Sequence, residues 1–272
     1  MRLLLLGDVV GRSGRDAVAA HLPDLRERLR ADFVVVNGEN AAGGYGITGE
    51  VCRSLYQQGA DVVTLGNHAW DQREAISYIG GDDRLIRPAN YPAGTPGRGA
   101  HVYQLTDGRK VLVMQLMCRL FMDPLDDPFA AFSEIMKAHR LGAGITAAVL
   151  DIHGEATSEK QALARYADGQ VSMAVGTHTH VPTADHMILP EGTAFMSDVG
   201  MCGAYNSIIG MDPKVAIERF VRKMPTGRLQ PVMGEGTVSG VFVETDDATG
   251  LATRVAPVRI GGNELESTVP EV

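Results

Sequence analysis

The sequence predicts an α/β protein, one domain of two sheets with outer helices. Two observations carry this. Short apolar runs alternate with amphipathic stretches over the first two thirds of the chain, whereas beyond residue 184 the runs are separated by tight-turn signals. A third observation bounds it. The chain has 272 residues, 44% of them hydrophobic and 21% charged, the composition of a globular protein with a sizeable core.

The runs at 3–6, 33–36, 62–65, 147–152 and 171–175 are rich in Val, Leu and Ile and do not alternate with polar residues. They therefore read as strands buried on both faces. Between them, stretch 15–30 places Val18, Leu22, Leu25 and Leu29 at three- and four-residue spacing, the stripe of an amphipathic helix. Stretches 48–58, 71–79, 129–141 and 158–166 are helix-like as well. Such alternation predicts a largely parallel sheet. The later runs, 184–189, 192–197, 236–244 and 251–260, are divided by turns such as Pro190-Glu191-Gly192 and Asp246-Asp247-Ala248-Thr249-Gly250. They predict hairpins and a mainly antiparallel second sheet packed on the first.

Several classes are excluded. The apolar run after Met1-Arg2 stops at Gly7-Asp8, too short for the core of a signal peptide. No window approaches the ~20 apolar residues that span a bilayer. A net charge of −8, from 25 basic and 33 acidic side chains, argues against a large nucleic-acid surface. Cys52, Cys118 and Cys202 are odd in number and far apart, which indicates reduced thiols and a cytoplasmic setting.

Every one of the first five runs ends in polar groups able to bind metal. These are Asp8, Glu39 with Asn40, Asn67 with His68, His153, and His178 with His180. In an α/β sheet, ligands collect at the carboxyl ends of strands. Taken singly, Asp8 is as readily a helix N-cap, the asparagines are turn residues, and His153 is a buried hydrogen-bonded histidine. Taken jointly, one shared site explains all five ends. Oxygen and nitrogen ligands of this kind, with one bridging carboxylate, suit a pair of metal ions ~3.5–4 Å apart.

Gly7-Asp8-Val9-Val10-Gly11, Asn37-Gly38-Glu39-Asn40, Gly66-Asn67-His68, His153-Gly154 and Gly176-Thr177-His178-Thr179-His180 resemble the five-block signature of calcineurin-like metallophosphoesterases. The resemblance is closer to the YmdB-type branch of bacterial phosphodiesterases, and it extends to Arg119-Leu120-Phe121-Met122 and Ser197-Asp198-Val199-Gly200-Met201. It implies a four-layer αββα sandwich of two mixed sheets flanked by helices, a binuclear metal centre, and hydrolysis of cyclic nucleotides, including 2′,3′-cyclic AMP. Carried onto this chain, one metal takes Asp8, Glu39, Asn40 and His180. The second takes Glu39 as the bridge, with Asn67, His153 and His178. The family favours iron or manganese, and zinc also suits the donors.

The chain departs from the broader superfamily at three points. Val10 stands where a histidine ligand is usual, and Asn40 looks like its replacement. The bridge is Glu39 instead of an aspartate. Ala69 replaces the acidic residue that often follows Gly-Asn-His, so the group orienting His68 lies elsewhere, with Asp71 near in sequence. Two cations make hydroxide available for in-line attack and neutralise the phosphoryl oxygens. His68, one residue past a ligand, is assigned as general acid, the alternative being a histidine that only positions phosphate.

Weaker signals stay open. Gly11-Arg12-Ser13-Gly14 reads as an anion cradle or a plain turn. Segment 40–46 reads as a flap with Tyr45 as a base-stacking ring, or as an ordinary glycine-rich loop. Arg119 and Phe121-Met122 read as a lid or as a packing or homo-oligomer surface, and the Met-rich run 114–122 leans toward packing. Competing functions are a phosphomonoesterase or nucleotidase with the same centre, a metal-dependent regulatory protein with little turnover, and a dinucleotide-binding module. The last lacks the Gly-x-Gly start and leaves the histidines unexplained.

Overall fold

The computed structural model describes residues 1–224 and 227–272. The chain runs β1 (Arg2–Leu6), β2 (Asp8–Val9), α1 (Gly11–Arg28), β3 (Phe33–Asn37), α2 (Gly49–Gln57), β4 (Val62–Thr64) and α3 (Arg73–Tyr78). It continues through β5 (Leu85–Ile86), β6 (Ala100–Gln104), β7 (Lys110–Met117), α4 (Pro128–Ala138), β8 (Ala147–His153), α5 (Thr157–Tyr166) and β9 (Met173–Thr177). The last elements are β10 (Met187–Ile188), β11 (Ala194–Met196), β12 (Met201–Cys202), α6 (Pro213–Arg222), β13 (Val238–Thr245) and β14 (Ala252–Ile260).

Two six-stranded mixed sheets form, in the orders β14-β13-β1-β3-β4-β5 and β10-β11-β9-β8-β7-β6. In the first, β1, β3, β4 and β5 are parallel and the β13-β14 hairpin closes one side antiparallel. In the second, β7, β8, β9 and β11 are parallel, with β6 and β10 antiparallel at the two edges. A short parallel pair joins β12 to β2.

The two-residue period of a strand divides the core into layers. Leu3 and Leu5 enter the inter-sheet layer with Val35, Val113, Val149 and Val175. Leu4 and Leu6 point the other way, onto Val18, Leu22 and Leu25 of α1 and Leu55 of α2. On the far side, Leu112 and Leu150 meet Phe132 of α4 and Leu163 of α5. The result is the four-layer αββα sandwich, and it explains why the strand runs carry no polar alternation: both faces are covered. No helix among the described residues is long and apolar enough to cross a membrane.

Division of the chain at residue 184 is corrected. β8 and β9 belong to the second sheet, not the first, and the C-terminal hairpin completes the first sheet instead of building a separate antiparallel one. An apolar run specifies burial on two faces but carries no label for the sheet it joins. Strands β6 and β7 and helix α6 were not anticipated. Met114 and Met117 of the run 114–122 are buried in β7, in keeping with the packing reading of that run, and polar Gln115 interrupts the apolar pattern of the strand. Helix α6 does carry a legible start, Asp212 accepting from Lys214 N–H with Pro213 behind it, but its outer residues Ile217, Phe220 and Val221 are exposed.

Leu5 is fully buried between the sheets. Leu5→Ala is expected to lower unfolding stability by about 2–5 kcal/mol, read as a shift of the urea midpoint at unchanged m-value.

Candidate metal centre

The carboxyl ends of β3 and β4 from one sheet and of β8 and β9 from the other converge, and β2 brings Asp8 to the same point. Glu39, His153 and His178 present ligand-type atoms within 4.8 Å of one another, and so do Asp8, Glu39 and His180. Glu39 belongs to both groups. Asn67 Oδ1 lies 2.9 Å from His153 Nε2, which places it with the first group. Asn40 Oδ1 lies 3.3 Å from His180 Nε2, which places it with the second. The seven residues read as ligands from the sequence therefore meet in one cleft, between the ends of two sheets instead of at the edge of one.

Each imidazole turns one nitrogen inward and has the other held from outside. His153 Nε2 faces Glu39 Oε1 at 3.2 Å, while Nδ1 lies 2.9 Å from Thr177 Oγ1. Thr177 Oγ1 donates to Asp151 Oδ1 at 2.7 Å, so it must accept from His153, which puts a proton on Nδ1. His178 Nδ1 lies 3.2 Å from His153 Nε2, and its Nε2 meets Glu155 Oε2 at 3.3 Å. His180 donates from Nδ1 to the Ile209 carbonyl at 2.8 Å. Outer partners of this kind orient metal-binding histidines.

The donor set fits cations. Glu39 Oε1, Asn67 Oδ1 and His178 Nδ1 surround His153 Nε2 at 2.9–3.2 Å. Such separations are close to the edges of a coordination polyhedron with bonds of about 2.1 Å. Asp8 Oδ1 is buried with no hydrogen-bond partner, an orphaned charge aimed into the cleft. The titration behaviour agrees. Burial raises the Asp8 carboxyl to about 6 despite His180 and His153 nearby. Burial also works against ionised Glu39, yet the histidines around it hold it down to about 2. His153 is pushed down by burial but raised on balance to about 9 by Glu39, Asp8 and Asp151. Burial and its neighbour His153 lower His178 to about 3.

His68 stands beside this cluster. Its backbone N–H donates to Glu39 Oε2 at 3.2 Å, and its Nδ1 lies 2.9 Å from Asp71 Oδ2. Asp71 is thus the orienting group that Ala69 does not supply. Tyr45 packs edge-on to the His68 ring, with centroids 5.2 Å apart. Since Nδ1 is engaged, Nε2 is the nitrogen left to exchange a proton with a ligand.

Other expectations are settled by contacts. Asp8 caps no helix: the N-cap of α1 is Val10, which has no side-chain cap bond. Segment 11–14 forms the first turn of α1, where Gly11 N–H donates to the Asn40 carbonyl and Gly14 N–H to the Val10 carbonyl. Loop 40–46 is tethered, with Arg15 bonded to the Ala41 carbonyl and Gln72 Nε2 to the Tyr45 carbonyl at 2.7 Å. Leu120 and Phe121 are exposed, so packing within this chain does not describe them.

Sequence reasoning missed the polar layer beneath the site. Asp151 Oδ2 accepts from Thr64 Oγ1 at 2.6 Å, Gln115 Nε2 at 2.9 Å and Asn37 Nδ2 at 3.2 Å. Glu155 was missed as well. Polar residues inside apolar strand runs, Asp151 in β8 and Gln115 in β7, were the available signal.

A four-layer sandwich with such a donor cluster at its sheet ends defines a metallophosphoesterase, an enzyme that hydrolyses phosphate esters. The model of the YmdB-like protein family matches residues 4–258, and the chain belongs to that family. It is 45% identical over 266 residues to the 2′,3′-cyclic-nucleotide 2′-phosphodiesterase of Bacillus subtilis (strain 168), covering 97% of this chain and 99% of that one. A crystal structure of a hypothetical protein from Thermus thermophilus superposes with a TM-score of 0.90 at 40% identity, covering 97% of this chain and 100% of that chain. A structure described as a novel phosphatase, from Mycoplasma pneumoniae, gives 0.88 at 31% identity, covering 96% and 93%.

A Cβ on Gly66 would overlap Glu39 Oε2 and His153 Nε2. Gly66→Ala is expected to retain the far-UV circular dichroism of the fold while hydrolysis of bis-p-nitrophenyl phosphate falls at least 100-fold.

Proposed function

We propose that this protein is a phosphodiesterase acting on cyclic nucleotides of the 2′,3′-cyclic AMP kind, with 3′,5′-cyclic AMP a further candidate, by means of two metal ions. The observation that carries it is the sharing of Glu39 by two ligand groups. The B. subtilis relative, named for its action on 2′,3′-cyclic nucleotides, supports the substrate class. Asp8, Glu39, Asn40 and His180 would hold one ion, and Glu39, Asn67, His153 and His178 the other. Iron or manganese suits these hard and borderline donors, and zinc fits them also. Bound there, the pair would supply Lewis-acid stabilisation of the phosphoryl oxygens and an acidified water for in-line attack.

The chain's own contribution at the leaving group is His68. With Nδ1 held by Asp71 and the ring braced by Tyr45, Nε2 delivers a proton to the departing ribose oxygen, a step worth roughly 10²–10⁴-fold. The substrate's negative charge is drawn to the cations, so an acidic protein is no obstacle. A cytoplasmic setting is part of the reading, supported by three buried, unpaired cysteines. The phosphatase description of the M. pneumoniae neighbour favours a second reading, a phosphomonoesterase with the same centre.

Turnover of 2′,3′-cyclic AMP, bis-p-nitrophenyl phosphate and p-nitrophenyl phosphate separates the two, and preference for the monoester would overturn the first. Glu39→Gln is expected to lose metal and activity together. His68→Ala is expected to keep both metals and lose about 10²–10⁴ in kcat, and near-normal turnover would remove His68 as the acid.

A further inference from the structure

We infer that the buried pair Lys160–Asp198 is a positioning device, holding the turn from His178 to His180 in a left-handed backbone and so setting one ligand in each metal group. His178 and His180 have φ of +98° and +65°. Residues with a side chain rarely adopt such angles, and they persist only where the surroundings over-determine them. Here the two flank Thr179, which is held from two separate places in the chain.

Asp198, just past β11, takes Thr179 N–H at 3.0 Å and Thr179 Oγ1 at 2.7 Å on the same oxygen, Oδ2. Its Oδ1 accepts from Gly200 N–H at 2.9 Å, which orients the carboxylate. Lys160, from α5, donates to Asp198 Oδ2 at 2.9 Å and to the Thr177 carbonyl at 3.3 Å. Both side chains of the pair are 1% exposed. A buried ion pair is a weak source of stability, since desolvation offsets much of the attraction. Its bonds to the Thr177 carbonyl before the turn and to Thr179 between the two histidines give it another task. An uncharged residue at 198 would leave the Lys160 ammonium buried with the Thr177 carbonyl but no counter-charge, and the turn would then relax to an ordinary backbone.

The geometry separates this brace from Glu155. His178 belongs to one ligand group and His180 to the other, so displacing the turn disturbs both groups. Glu155 meets only the His178 ring.

This inference rests on the two-metal reading, and the experiment keeps the two apart. Metal-stripped protein is titrated with Mn²⁺ by calorimetry, with far-UV circular dichroism and thermal melting run alongside. Wild type is expected to bind two Mn²⁺. Thr179→Val, which leaves the ion pair in place, and Asp198→Asn are expected to weaken both binding events by about 10–100-fold, while Glu155→Ala weakens one. Should Asp198→Asn not fold, Thr179→Val decides. A folded variant of the turn that melts earlier but binds both ions within about twofold of wild type would reduce the pair to a structural contact. Weakening of one event alone would overturn the coupling. If wild type takes up no Mn²⁺, the metal-centre reading falls and the brace falls with it.

Discussion

The carboxylate of Asp151 lies fully buried between the two sheets, and the architecture of the site depends on it. Taking an ionised group out of water costs several kcal/mol unless hydrogen bonds replace the lost solvent. Burial accordingly raises the Asp151 carboxyl above the usual carboxylate range, against the pull of His153 and the hydrogen bonds around it. The required donors are Asn37 and Thr64 from the first sheet and Gln115 and Thr177 from the second. Because they come from both sides, satisfying Asp151 sets how the sheet ends meet.

The same knot aims the ligands. Asn37 Oδ1 accepts from Glu39 N–H at 3.1 Å, which orients the start of the loop carrying the shared carboxylate. Gln115 Oε1 accepts from Leu65 N–H at 3.0 Å, its amide also bonding the Leu65 carbonyl, and so holds the strand end that leads into Gly66-Asn67-His68. Thr177 links Asp151 to His153. A polar network of this kind is favourable only when each member is satisfied, and then it specifies one arrangement. The cleft thus gains preorganised ligands from groups that never reach it.

Charge is organised on two scales. The chain as a whole is acidic at −8, yet the buried carboxylates Asp8 and Glu39 concentrate their charge among His153, His178 and His180, in groups able to hold a metal ion. His68 lies just outside, close enough for its N–H to touch Glu39 and far enough that its ring answers to Asp71 and Tyr45. One residue along the loop thus separates the Asn67 amide, beside His153, from the His68 ring, beside Asp71 and Tyr45.

Burial on two faces made β1, β3, β4, β8 and β9 legible, and polar residues directly behind them made seven candidate ligands and His68 legible. These are local properties, since a run of Val and Leu and the residue type that ends it are written in adjacent positions. Which sheet each strand joins was not, because β8 carries the same apolar signal as β3 and differs only in partners far along the chain. β7 was hidden by Met and Gln, whose side chains make sense only against Asp151 and α4. The tertiary structure alone decided that Asp71 orients His68, that Glu155 meets His178, and that Asp198 reaches Thr179, since each depends on distances between atoms. By itself the sequence determined the α/β class and the inventory of donors; three-dimensional packing decided their allocation to two sheets and the partners that aim them.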